Sequence, residues 1–166
     1  MKPGGIFALD LSGTVGWCFG HPGDLVPLFG TWHLSESRLL GPRYVSYENE
    51  LIAALRLFKP KLVVMEAPLP SKSQGSTNVA RQQFGLAAYT EGECWRNQTR
   101  LTEQAASSVR KGVLGRGTFS VGTAKSHVIA YCKAQGWAVP DDNAADACLL
   151  WAFACGVRNP IQGKLM

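Results

Sequence analysis

The chain has 166 residues and a mass of 18.0 kDa, with 46% hydrophobic and 17% charged residues; this suits one compact domain over 1–166 and argues against a disordered chain. The formal net charge is +5 and the pI near 9.1, a balance that favours a polyanionic partner because Lys and Arg release counterions from phosphates. No apolar run reaches the roughly 20 residues of a bilayer span, and five cysteines without zinc-knuckle spacing argue against a disulfide framework or structural zinc.

The chain opens on Met1-Lys2-Pro3-Gly4-Gly5, which lacks the apolar stretch of a signal peptide and leads straight into a strand. A cytoplasmic protein with no membrane partner is expected. Ile6-Phe7-Ala8-Leu9-Asp10 is a short apolar run ending in a carboxylate and reads as a buried strand. Leu11 to Thr14 makes a turn, Val15 to Gly20 a second strand, His21 to Asp24 another turn, and Phe29 to Leu34 a third strand. Val45, Leu51, Ala54, Leu55 and Phe58 recur at helical spacing over Arg43–Phe58, and Pro60 stops that helix. Leu62-Val63-Val64-Met65-Glu66 is a fourth buried strand, again ending in a carboxylate. A polar linker, Ser71 to Ser76, leads into a long helix from about Thr77 to Arg96, and Thr99 to Thr102 supplies a short last strand.

Ala105 to Lys111 reads as a helix and the glycine-rich stretch from Gly112 to Gly122 as a loop. Thr123 is placed to cap a helix reaching Gln135. Val139-Pro140-Asp141-Asp142 opens the last helix, from about Asn143 to Cys155, with acidic residues at the positive end of its dipole. The element order predicts an α/β protein: a mixed five-stranded sheet flanked by helices, in the order of the RNase H-like fold.

Three carboxylates stand out by position. Asp10 and Glu66 end strands, and Asp146 lies in the first turn of the last helix. Carboxylates at buried strand ends are costly unless a cation compensates them; taken singly, each also reads as an ordinary turn or cap residue. If the first and fourth strands lie side by side, Asp10 and Glu66 enter one pocket, and a helix across those ends delivers Asp146. Asp142 and Asn143 each share a face with Asp146, at i, i+4 and i, i+3, while Ala147, Leu150, Trp151 and Ala154 form the core face. Phosphodiester hydrolysis suits such a site, because two hard ions about 4 Å apart activate the water and stabilise the leaving oxygen. Mg²⁺ is the expected ion, with Mn²⁺ as substitute.

The stretch from Ile6 to Trp17 resembles the opening strand motif of RuvC-type Holliday junction resolvases, within the RNase H-like and retroviral integrase superfamily. Val63-Val64-Met65-Glu66 is similar to that family's second acidic motif, and Asp142-Asn143-Ala144-Ala145-Asp146-Ala147 to its closing helix. Val109 to Gly117 resembles its basic segment, and Thr123-Ala124-Lys125-Ser126 its downstream lysine. The resemblance spans about Ile6 to Cys155. It implies a homodimer that cuts four-way DNA junctions by paired nicks, serving recombination and repair. It also implies that Asp10, Glu66 and Asp146 hold two metal ions, with Arg110 and catalytic Lys125 near the scissile phosphate. The family usually carries an acid or a histidine three residues before Asp146, where this chain has Asn143. Asn143 and Asp142 are therefore both candidates for a further ligand. Viral and phage members vary most at that position, so a phage-type member acting in host cytoplasm fits the departure.

Arg110, Lys111, Arg116 and Lys125 read either as a phosphate clamp or as a solvated loop. Lys72 and Arg81 flank the entry of the long helix as further DNA-contact candidates, with Arg96 at its far end. Phe84 reads as a wedge into the junction or as a core or dimer-interface residue. Trp17, Trp32, Trp137 and Trp151 are expected in the core and Trp95 near the surface. His21, His33 and His127 have no metal-ligand spacing. Two further readings compete with junction resolution: a less selective nuclease on flaps, forks or hybrids, and a junction-binding protein without catalysis.

Overall fold

The computed structural model describes residues 3–68, 77–120 and 122–157. Ten elements follow in order: β1 (Ile6–Asp10), β2 (Val15–Gly20), β3 (Leu28–Trp32), α1 (Leu40–Phe58), β4 (Leu62–Glu66), α2 (Thr77–Arg96), β5 (Arg100–Gln104), α3 (Ala106–Leu114), α4 (Ala124–Ala134) and α5 (Asp142–Ala154). The strands form one sheet in the order β3-β2-β1-β4-β5. β1, β2 and β3 pair antiparallel, whereas β1–β4 and β4–β5 are parallel. This is the mixed five-stranded sheet expected from the sequence.

Strand periodicity divides the core into two layers. Phe7 and Leu9 of β1 and Val63 and Met65 of β4 pack with Tyr47, Leu51 and Leu86 against α1 and α2. Ile6 and Ala8 of β1 and Val64 of β4 face the other way, into a cluster with Val109, Val128, Cys148, Leu149 and Trp151 from α3, α4 and α5. α5 is the centre of this second layer, with eight of its thirteen residues buried, as suits a helix apolar almost all round.

Several boundaries differ from the sequence expectation. α1 begins at Leu40, ahead of Pro42, because a proline in the first turn removes only an N–H that lacks a helical partner anyway. β5 extends to Gln104, since it pairs with β4 along its whole length, and β3 starts and ends earlier than expected. α3 runs through Gly112 to Leu114 instead of stopping at Lys111. Gly112 is a packing residue there, because a Cβ would lie 2.5 Å from the Phe153 ring of α5. Thr123 does not cap α4 with its side chain; its hydroxyl donates to Ser120 O at 2.9 Å. Among the described residues, no helix is long and apolar enough to cross a membrane. Trp137 and Trp151 are buried, Trp95 is exposed, and Trp17 and Trp32 are half-buried beside Phe58. Lys72 lies outside the described residues.

Candidate active site

The register of β1 on β4 sets the first two carboxylates. Leu9 pairs with Met65, so Asp10 and Glu66 stand together at the same end of adjacent strands. By the two-residue alternation, Asp10 follows Ala8 and Glu66 follows Val64 onto the face covered by α5.

The first turn of α5 is docked on the other strands. Asp141 caps the helix, its carboxylate accepting from Ala144 N at 2.8 Å. Thr31 of β3 donates its hydroxyl to the same carboxylate, at 2.9 and 2.7 Å from the two oxygens. Gly16 of β2 lies under the Asn143 backbone so closely that a Cβ would sit 1.9 Å from Asn143 O. Ser12, in the β1–β2 turn, places its Oγ 3.0 Å from Asn143 Oδ1. Asp146 follows about one turn further along α5.

Their electrostatics register the convergence. Burial pushes the Asp10 carboxyl well above its ordinary range, and the charges of Glu66 and Asp146 push it further, against a pull from Lys125. Glu66 is pushed up to about 7 by burial and then by Asp146, with Arg110 opposing. Burial also raises Asp146, while Arg110 and Lys125 oppose. The three acids are thus close enough to feel one another's charge, and that of Arg110 and Lys125.

Asp142 is engaged elsewhere. It forms an ion pair with Lys125, whose ammonium holds its carboxyl below the usual range. The ion pairs formed among the described residues leave Asp10, Glu66 and Asp146 without a cation at salt-bridge distance. Among those residues no group of three or more acidic, histidine or cysteine side chains is spaced to hold a metal ion as it stands. The open oxygen-only set, two members of which line up at strand ends, suits a hard divalent ion. Asp10, Glu66 and Asp146 would be the donors to such an ion, because desolvation makes them costly to ionise without a cation.

Arg110, Gly122, Ala124, Lys125 and Asp146 line an open cavity of about 270 Å³. Lys111 and Arg116 are exposed nearby in sequence. Arg116 stacks on Phe119, 4.4 Å from the ring centroid, and its Nη2 lies 3.1 Å from His127 Nε2. Phe119 and His127, 4.8 Å apart between ring centroids, complete a knot that the sequence alone does not reveal. Arg81 and Phe84 are exposed on the first half of α2, and the carbonyl of Arg81 accepts from the Tyr44 hydroxyl at 2.8 Å. A larger cavity, about 600 Å³, is lined by Cys94, Trp95, Arg96, Gln98, Thr99 and Arg100. It lies at the start of β5, opposite the strand ends that carry the acids, so size does not mark the carboxylate site.

Of the residues that build the site, Asp141 carried a signal in its place just before an apolar helix. Ser12, Gly16 and Thr31 carried none, since their partners lie more than a hundred positions away.

The sheet order, the two helical layers and the acids at the ends of β1 and β4 define an RNase H-like fold. No protein-family model matches the chain, and no curated protein matches it in sequence. Solved structures do match. Over 94% of this chain and 98% of the other, it superimposes on Thermus thermophilus RuvC in complex with a Holliday junction substrate, with a TM-score of 0.71 and 11% identity. A second structure of Thermus thermophilus RuvC gives 0.65 and 13% identity over 93% of this chain and 98% of that one. The yeast mitochondrial Holliday junction resolvase Ydc2 gives 0.66 and 11% identity over 93% of this chain and 79% of that one. The chain has the RuvC-like form of the fold.

Proposed function

We propose that this chain is a metal-dependent endonuclease that resolves four-way DNA junctions by paired nicking. The observation that carries the reading is that Asp10 and Glu66, at the ends of adjacent strands, and Asp146 of α5 are half-buried and electrostatically coupled. The RuvC-like form of the fold supports junction DNA as the substrate class.

In this reading the three carboxylates hold two Mg²⁺ ions, for which Mn²⁺ substitutes. Such ions supply activation of water and neutralisation of the leaving oxygen. Arg110 and Lys125, at the cavity rim with Asp146, orient the scissile phosphate and offset its charge. Lys111 and Arg116 extend the positive edge along the backbone, and Arg81 and Phe84 face the junction arms from α2. Paired nicks of like polarity need two sites related by a two-fold axis, so the working unit is a homodimer.

The test is cleavage of a synthetic four-way junction in Mg²⁺ by the wild type, Asp10→Asn and Asp146→Asn, with cut positions mapped. Symmetrical nicks by the wild type and none by either variant are expected. Undiminished cutting by both variants removes the mechanism. Equal cutting of flaps, linear duplex and hybrids points to a less selective nuclease, and tight junction binding without nicks to a non-catalytic protein.

A further inference from the structure

We infer that Asn143 is a positioning residue that ties α5 to the β1–β2 turn. The inference rests on the metal centre proposed above and concerns the one position where the acidic set gives way to an amide.

Both parts of Asn143 are engaged. Its backbone is pressed onto Gly16, and its Oδ1 accepts from the Ser12 hydroxyl at 3.0 Å. One lone pair of Oδ1 is thus given to Ser12, so the amide is oriented from outside the acid cluster.

Ser12 is in turn held from the opposite layer. Gln82 of α2 is buried, with 7% of its surface exposed. Its Nε2 donates to Ser12 O at 3.5 Å, and its Oε1 accepts from Arg43 Nη1 at 2.8 Å. Arg43 Nε donates to Ser37 O at 2.9 Å. A buried amide with both ends used is a structural tie. The relay Arg43–Gln82–Ser12–Asn143 therefore runs from α1 and α2, across the open end of the sheet, to α5. Asp10 lies two residues before Ser12, and Asp146 three residues after Asn143. The Ser12–Asn143 contact thus sets the separation of the two carboxylates from outside the metal centre. An amide does this without adding a fourth negative charge to a site where three already repel.

Ser12 has one hydroxyl proton, and Thr14 O also lies within its reach. An amide turned over, donating from Nδ2 into Ser12 Oγ, would free Oδ1 for an ion. The experiment separates these arrangements. Mn²⁺ binding to the full chain is titrated by calorimetry for Ser12→Ala, Asn143→Ala, the double variant, Ser12→Thr and Asp10→Asn, each checked by a metal-free thermal melt. A positioning role makes Ser12→Ala and Asn143→Ala weaken binding alike, by about tenfold, with no further loss in the double variant. Ser12→Thr, which keeps the hydroxyl, restores the affinity. The inference is overturned if Asn143→Ala weakens binding while Ser12→Ala stays within about twofold, or if neither changes it. Unaltered binding by Asp10→Asn is a separate result, and it sinks the metal centre itself.

Discussion

Gly16→Ala is the sharpest probe of how α5 is seated. The new methyl would lie 1.9 Å from Asn143 O, 2.3 Å from Asn143 C and 3.0 Å from Ala144 N. All three are backbone atoms in or at the first turn of a capped helix, so no side chain can swing aside. To restore a contact of about 3.5 Å, the turn must retreat by roughly 1.5 Å. That movement stretches the Ser12–Asn143 and Thr31–Asp141 contacts, now 3.0 Å and 2.7–2.9 Å, beyond useful hydrogen bonds. Overpacking of this kind costs about 1–3 kcal/mol, which lowers the melting temperature of a domain this size by about 3–10 °C. The fold survives, because typical stabilities are about 5–15 kcal/mol. Function suffers more: a displacement of about 1 Å at a reacting centre costs on the order of a hundredfold. The assay pairs a thermal melt with single-turnover cleavage of a four-way junction in Mg²⁺. Wild-type cleavage by a folded Gly16→Ala protein would refute the claim that this contact seats Asp146.

Three other outcomes follow from the same geometry. Glu66, raised from 4.5 to about 7, binds its proton more tightly folded than unfolded, and Asp10 and Asp146 share that sign. Without ions, then, stability from these groups is present at low pH and lost as pH rises from about 4.5 through 7, so the melting temperature falls between roughly pH 5 and pH 8; saturating Mg²⁺ reverses the fall, and a melting temperature that climbs across this range in chelator contradicts the burial of the acids. Asp10→Asn removes a half-buried, repelled charge and raises the metal-free melting temperature near pH 8, each unit of pKa elevation relieved being worth about 1.4 kcal/mol; a lower melting temperature sets the reasoning aside. Arg110→Ala and Arg116→Ala each weaken junction binding and reduce the slope of log affinity against log salt by roughly 0.9 for every phosphate left unneutralised, as titrations at several salt concentrations measure; unchanged slopes remove both residues from the backbone interface.

The strand ends were legible because β1 and β4 both stop at a carboxylate, a placement that is ordinary once but gains weight when it recurs beside an acid in the first turn of the last helix. The oxygen-rich face at the start of α5 was legible from i, i+3 and i, i+4 spacing. That spacing left Asp142 and Asn143 open, since both share a face with Asp146. Their different partners, Lys125 for Asp142 and Ser12 for Asn143, depend on tertiary contacts that local periodicity does not encode. Gly112 misled for a related reason. It begins a run that reads as loop from composition, but the approach of Phe153 requires a glycine within the helix. The Arg116–Phe119–His127 knot was not legible because it joins a glycine-rich loop to helix α4 through tertiary contacts that local periodicity does not encode.

Burial alone does not explain where α5 stops along the sheet. Its buried face is Ala144, Ala145, Ala147, Cys148, Leu149, Leu150, Trp151 and Ala152, and apolar contact is non-directional. A small slide along β1 and β2 would change the apolar area little. What such a slide breaks is polar or steric: the Thr31–Asp141 bonds, the Ser12–Asn143 contact and the Gly16 notch. The apolar face therefore supplies most of the energy of docking, and three contacts around the helix start supply its position. The two sets of residues separate by experiment. Leu149→Ala removes core volume at a cost of about 2–5 kcal/mol and acts mainly on the melting temperature. Thr31→Val leaves the layer packed and acts mainly on ion affinity and cleavage. If Thr31→Val lowers the melting temperature as far as Leu149→Ala while leaving Mn²⁺ affinity unchanged, position and energy are not divided in this way.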